Sequence, residues 1–249
     1  MTERVEIRSA SAAYRAPCGA CAECEVRTMA VCAALNDDEV GALERIMTAR
    51  RLEANEMLVE EGAAKTSVFT LTSGMLRLSV ALPDGRRQIT GFLMPGDYLG
   101  LADDDIYSAS AEAVEPSALC AFPVRQMEAL TERFPELQDR LHRFTRAALR
   151  QARENQLILG RLAPVEKLAS FLVLLSARAV EHRLPASPIA LPMTRGDIAD
   201  YLGLTIETVS RSFTKLRNRG LIAMPSPQSI EIPDAMALAA VAGLPGYGA

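Results

Sequence analysis

From Leu52 to Val124 short apolar runs alternate with turn signals: "EANE", "EGAAK", Ser73-Gly74, "LPDGRRQ", "MPGDY" and "EPS". Polar stops at this spacing predict short antiparallel strands in a β-sandwich or barrel, with Asp84-Gly85 marking a hairpin. The pattern changes at Phe134-Pro135, where the proline suits the first turn of a helix. Leu137, Leu141, Phe144, Ala148, Gln151, Asn155 and Ile158 then recur at alternating spacings of four and three. That is a heptad seam on a helix about 37 Å long, and polar residues at seam positions such as Gln151 and Asn155 fix register in two-stranded coils. The spacing leaves two packings open: a helix lying on its own sheet, or one pairing with a second copy along its length. After Pro164 the segment "VEKLASFLVLLSARAVEH" reads as helical, and Pro185, Pro188 and Pro192 follow in a loop.

The chain therefore reads as α+β in four parts. Residues 1–50 carry most of the cysteines and a first helix, 51–134 form the antiparallel sandwich, 135–160 the long helix, and 161–249 a small α-rich domain.

That last part contains "MTRGDIADYLGLTIETVSRSFTKLRNRG" (193–220). Thr194 can cap a helix, with Asp197 three residues on completing a capping-box pair. Ile198, Ala199 and Leu202 give this helix an apolar face, and Gly203 permits a sharp turn. Thr205 caps a second helix on which Ile206, Val209, Phe213 and Leu216 are expected to point inward. Glu207, Ser210, Arg211 and Thr214 share the opposite face. This is the layout of a helix-turn-helix whose second helix enters the major groove of double-stranded DNA. Arg211 can donate two hydrogen bonds to guanine, while Glu207 can accept from a cytosine amino group. Lys215 and Arg217 are placed to meet phosphates. Thr194, Arg195, Thr205 and Thr208 complete the candidate DNA-contact set. Further on, "SIEIP" predicts a short strand closing a wing.

Charge sharpens this reading. The whole chain carries a net charge of −4. Yet Thr205 to Arg219 holds four basic residues and one acidic one, a local +3 suited to a phosphate backbone. No apolar run approaches the ~18 residues of a membrane span. The start, "MTERVEIRSASAAYR", lacks the apolar core of a signal peptide, so a cytoplasmic location is expected, where thiols stay reduced. No catalytic constellation appears, which argues against an enzyme.

With these motifs the chain resembles the CRP/FNR family of bacterial transcription regulators, most specifically in "MTRGDIADYLGLTIETVSRSF". The resemblance implies a cyclic-nucleotide-binding-like β-roll, a dimerisation helix and a winged helix-turn-helix. In the FNR branch the pattern E-x-x-S-R supplies base contacts, matched by Glu207, Ser210 and Arg211, and implies a homodimer on TTGAT-type inverted half-sites. Asp84 and Gly85 match a loop through which family members touch RNA polymerase. Cyclic-nucleotide members grip the ligand's phosphate with an arginine, whereas "PGDYLGLADDDIYSASA" has none and carries Asp103, Asp104 and Asp105. No cyclic nucleotide is expected, because a phosphate would meet like charge there.

Three thiols fall within "CGACAEC", and Cys32 and Cys120 complete the five. Oxygen-sensing members hold a 4Fe-4S cluster with three amino-terminal cysteines and one from the sandwich. The resemblance assigns Cys21, Cys24, Cys32 and Cys120 as ligands, with Cys18 spare; thiolates are the soft donors such clusters need. Cys18, Cys21 and Cys24 with Cys120 form an alternative set. Tetrahedral zinc and a thiol–disulfide switch are the chemical rivals. His142 and His182 are expected at the surface.

Overall fold

The computed structural model describes Cys21 and residues 24–243; Cys18 lies outside the described residues. A short 3-10 helix, Val31–Ala34, leads into α1 (Asp37–Ile46). Asn36 starts α1 with a full capping box, its side chain accepting from the Asp38 and Glu39 N–H groups.

Two four-stranded antiparallel sheets follow. One is ordered β1 (Thr48–Leu52), β8 (Ser117–Pro123), β3 (Ser67–Ser73), β6 (Tyr98–Leu99). The other is ordered β2 (Met57–Val59), β7 (Ser110–Ala113), β4 (Leu76–Ala81), β5 (Arg87–Leu93). As the sequence predicts, β4 and β5 form a hairpin over Asp84-Gly85, where Gly85 takes a φ of +84°. Leu52, Phe69, Leu71, Leu76, Leu119 and Ala121 fill the space between the sheets.

Strand β8 is buried on both faces. Because side chains alternate along a strand, Leu119 and Ala121 face the sandwich while Cys120 and Phe122 face outward. Helices cover that outer face: α1, α2 (Val124–Arg133) and the start of α3 (Pro135–Arg161) pack with Val31, Leu35 and Cys21 around Cys120 and Phe122. The sequence pattern did not separate α2 from the strand run before it.

Helix α3 is the predicted long helix, but its two ends are committed to its own chain. Leu137 is buried in the cluster around Cys120, and Ile158 in the core of the carboxy-terminal domain. Leu141 and Phe144 pack partly against the first of these, and Asn155 accepts a hydrogen bond from the Tyr201 hydroxyl at 2.7 Å. The seam drawn from the sequence thus faces the body of its own protomer over most of its length.

The carboxy-terminal domain comprises α4 (Pro164–Glu181), β9 (Ile189–Ala190), α5 (Arg195–Leu202), α6 (Ile206–Asn218), the strands β10 (Ala223–Ser226) and β11 (Ser229–Glu231), and α7 (Ala235–Ala242). Strands β10, β11 and β9 form the wing sheet. Its core runs on without a break into the sandwich, where Met75, Ile89, Phe92 and Met94 join it. Phe92, Phe171 and Tyr201 meet as a tilted aromatic triad with centroids 5.5 to 6.2 Å apart.

A charged joint lies beside this triad. Asp197 on α5 is 1% exposed; it accepts from Thr194 at the helix cap, from Arg87 at 2.8 Å, and pairs with Arg77 at 3.4 Å. Arg87 also binds Asp200 at 2.8 Å, while Arg77 binds Glu112. A buried carboxylate is tolerable only with such partners. Removing it by Asp197→Ala leaves Arg77 buried with one partner fewer and deprives the Thr194 N–H of its acceptor in the capping box, so urea unfolding should show a loss of about 3–5 kcal/mol. Asp200→Ala, at the exposed edge, should cost less than about 1 kcal/mol.

Candidate DNA interface and thiol cluster

The helix-turn-helix forms as the sequence dictates. The Thr194 hydroxyl accepts from the Asp197 N–H at 3.0 Å, Gly203 takes a φ of +61° to turn the chain, and Thr205 caps α6 by accepting from Thr208 at 3.2 Å. Val209, Phe213 and Leu216 are buried, and Glu207, Ser210, Arg211, Thr214, Lys215 and Arg217 are exposed together on the outer face. Hydrogen bonds from its own N–H and from the Thr205 hydroxyl, with Arg211 one turn on, hold the Glu207 carboxyl below its ordinary range. It therefore presents a pure acceptor at the helix start. Ser210 and Thr214 turn their hydroxyl protons back onto the Ile206 and Ser210 carbonyls, leaving oxygen lone pairs outward.

Two residues depart from expectation. Ile206 does not point inward: it is 53% exposed on the first turn of α6, one turn before Ser210. Arg195 is half-buried, with its guanidinium 3.4 Å from the Phe213 ring centroid and a 3.7 Å contact to the Met224 sulfur. It braces α5 against α6 and the wing. Thr208 shares its hydroxyl with that of Thr205 and belongs to the cap.

At the other end of the molecule, Cys21 and Cys120 are buried in one apolar cluster, Cys32 packs against it, and Cys24 lies nearby on the same loop. None of the four forms a disulfide. Burial, then the neighbouring Cys24 and Cys21, pushes the Cys32 thiol up to about 11; burial, then Glu44 and Cys24, raises Cys21. These thiols are protonated at neutral pH without a cationic partner strong enough to ionise them. Among the described residues no three His, Cys, Asp or Glu side chains are arranged to hold a metal ion. Arg140 of α3 reaches into this region, donating to the Met29 carbonyl and lying 4.7 Å over the Phe144 ring.

His142 is exposed as expected, whereas His182 is not: it is held at 2.6 Å against the Pro95 carbonyl of the sandwich. A cleft of about 360 Å³ opens between the sandwich, α3 and α4, lined among others by Asp97, Asp103, Gln151, Glu154, Arg178 and Glu181.

Comparison with known proteins fits this geometry. Residues 166–241 match the Crp-like helix-turn-helix domain, and residues 49–134 match the cyclic nucleotide-binding domain. The transcriptional activator FnrA of Stutzerimonas stutzeri is 32% identical over 246 residues, 98% of each chain. The chain belongs to the CRP/FNR family of transcription regulators. The nitrogen fixation regulation protein FixK of Bradyrhizobium diazoefficiens is 39% identical over 204 residues, 82% of this chain and 86% of that one. The solved structure of FixK2 from Bradyrhizobium japonicum superposes with a TM-score of 0.75 at 30% identity, covering 80% of this chain and 98% of that one. This CRP/FNR protein is thus a DNA-binding regulator and not an enzyme.

Helical spacing hid Ile206, because a residue at the apolar phase of a first turn has no preceding turn to bury it. Its exposure beside Glu207 suits van der Waals contact with a thymine methyl. In a binding series, Arg211→Ala should lose about 1–3 kcal/mol and relax preference at one guanine. Ile206→Ala should lose about 1 kcal/mol. Replacing one thymine of the half-site by deoxyuridine should weaken the wild type by a similar amount and leave Ile206→Ala unchanged. Equal sensitivity of both proteins to every such replacement would remove Ile206 from the reading face.

Proposed function

We propose that this chain is an oxygen-responsive transcription regulator, binding TTGAT-type inverted half-sites as a homodimer while an oxygen-labile 4Fe-4S cluster is intact. The observation that carries the proposal is the gathering of Cys21, Cys32 and Cys120, with Cys24 beside them, at the foot of the long helix. Four thiols suit the donor chemistry of an iron–sulfur cluster, and the amino-terminal loop and β8 supply them from elements far apart in sequence. When bound, the cluster supplies a bridge among thiolates that oxygen destroys. Cys21, Cys24 and Cys32 would hold it from the loop and Cys120 from the outer face of β8. Their shared neighbours Leu137, Leu141 and Phe144 belong to α3, so the order of the loop bears on the position of that helix. A second reading, another small-molecule or thiol redox signal without an iron–sulfur cluster, draws on the cleft lined by Gln151, Glu154 and Arg178 and on the thiols of Cys21 and Cys32.

The remaining partners follow from exposure and charge. One exposed stripe of α3 is Gln138, His142, Thr145, Leu149, Ala152, Gln156 and Leu159, at the same four-three spacing as the seam drawn from the sequence but one residue on. A second copy is its occupant, with apolar Leu149 and Leu159 exposed at 53% and 40%. Asp84, whose carboxyl Arg86 holds below the usual range, tops the exposed hairpin where RNA polymerase would dock. Among the described residues the arginines lining the cleft are Arg150 and Arg178, and Asp97 already engages Arg178, so a cyclic nucleotide phosphate is poorly served. Reading DNA places the chain's action in the cytoplasm. No helix among the described residues is long and apolar enough to cross a membrane.

Anaerobic reconstitution with iron and sulfide tests the central reading. Cys21→Ser, Cys24→Ser, Cys32→Ser and Cys120→Ser should each abolish the visible absorbance and the operator binding that air removes from the wild type, and Cys18→Ser should retain both. Colourless wild-type protein that binds operator equally with and without air would sink the proposal in favour of the second reading.

The dimer register is tested by sedimentation of the reconstituted protein. Leu149→Glu should give a folded monomer, since a carboxylate in the dimer seam would be buried without a partner. Dimer formation unaffected by this change would place the interface elsewhere.

A further inference from the structure

The loop between Cys24 and Cys32 does more than carry ligands. Its Met29 is fixed from one side by Arg140 of α3, which donates to the Met29 carbonyl. On the other side it lies against the turn Met94–Asp97, at Gly96. A Cβ placed on Gly96 would come within 3.2 Å of the Met29 Cβ and 3.5 Å of His182 Nδ1. Sensor loop and DNA-binding domain therefore press on one glycine from two directions, and the φ of +102° there makes a side chain costly on backbone grounds as well.

The same turn is the part of the sandwich that α4 grips. His182 Nδ1–H donates to the Pro95 carbonyl at 2.6 Å, and its Nε2 lies 3.6 Å from Asp97 Oδ1. Arg178 donates to Asp97 and, at 2.7 Å, to the Phe92 carbonyl. Asp97 in turn accepts from the Met94 N–H at 2.7 Å, so its carboxylate sets the shape of the turn and anchors α4 at once. Phe92 extends the contact into the aromatic triad with Phe171 and Tyr201.

We propose that Met29 is a positioning residue through which the state of the Cys24–Cys32 loop reaches the DNA-binding domain directly, by way of the Met94–Asp97 turn and its grip on His182 and Arg178. This route is separate from the dimer helix. It rests on the reading of the cysteine loop as the sensor, and it asks that loop order and α4 docking stabilise each other. A displacement of the Met29 side chain opens space at Gly96, loosens the turn and weakens the α4 anchor; contiguous packing of this kind is a physical coupling only if the two sites prove energetically linked.

The test uses full-length protein and separates this inference from the cluster itself. In reduced, cluster-free protein, hydrogen exchange is compared between wild type, Met29→Gly, which removes the Cβ that meets Gly96, and Met29→Ala, which keeps it. Met29→Gly should speed exchange roughly fivefold or more at Arg178–His182, some 150 residues away in sequence, while Met29→Ala follows the wild type. Operator affinity of the reconstituted protein then supplies a double-mutant cycle: Met29→Gly and His182→Ala should each weaken binding, and the double variant should be no weaker than the worse single one. Faster exchange confined to the cysteine loop, or losses that add in full, would overturn the coupling. Wild-type protein that takes up no iron would end the cluster reading, and the exchange comparison on cluster-free protein would still decide this one.

Discussion

The buried Asp197 carboxylate is the constraint on which the arrangement of this regulator depends. A charge at 1% exposure demands compensation, and the compensation comes from two sources that would otherwise be independent. Thr194 supplies it from within the helix-turn-helix, as any capping box would. Arg77 and Arg87 supply it from β4 and β5 of the sandwich. The carboxylate that starts the first helix of the DNA-reading unit is therefore also the point at which that unit is bolted to the sandwich. Turning the reading head relative to the sandwich means separating Asp197 from two arginines, and Arg77 is itself buried.

Hydrophobic packing reinforces the same joint and extends it to the long helix. Phe92, Phe171 and Tyr201 come from the sandwich, α4 and α5, and the Tyr201 hydroxyl ends on Asn155 of α3. Burial of Tyr201 raises its hydroxyl well above the usual range, so it stays a donor to Asn155 at any physiological pH. Helix α3 is thus anchored at its foot beneath the cysteines and at its head in the core of the reading domain. Between these anchors one face remains exposed. A helix tied at both ends transmits a shift at either end along its length, since helices resist compression far more than loops do.

The cysteine region obeys a different economy. A strand usually has one covered face; β8 has two, because α1, α2 and the foot of α3 close over Cys120 and Phe122. Burial there raises the Cys21 and Cys32 thiols, Cys32 to about 11. Ionising them for metal or redox chemistry thus requires a partner that compensates for burial, which a thiophilic metal centre does by direct coordination. The same loop that presents Cys24 and Cys32 lays Met29 on the turn gripped by α4. The cysteine loop and the reading head are consequently separated by few side chains.

Much of this was legible in the sequence wherever the governing physics is local. The capping box of Thr194 and Asp197, the turn at Gly203, the inward phase of Val209, Phe213 and Leu216 and the outer face of Glu207, Ser210 and Arg211 all follow from contacts three or four residues apart. The strand run, the Asp84-Gly85 hairpin and the place of Cys120 on the last strand follow from alternation and turn chemistry in the same way. What the sequence left open was set by contacts between distant segments. On α3 two stripes one residue apart, beginning at Leu137 and at Gln138, both satisfy the four-three spacing; only the positions of α1, α2 and Tyr201 determine that the first faces the chain's own body. Ile206 has the phase of a core residue and the exposure of a surface one, because burial depends on what lies opposite and nothing covers the first turn of α6. Asp197 reads as a cap from its neighbours alone, and becomes a joint between domains only when the fold brings Arg77 and Arg87 across more than one hundred residues to meet it.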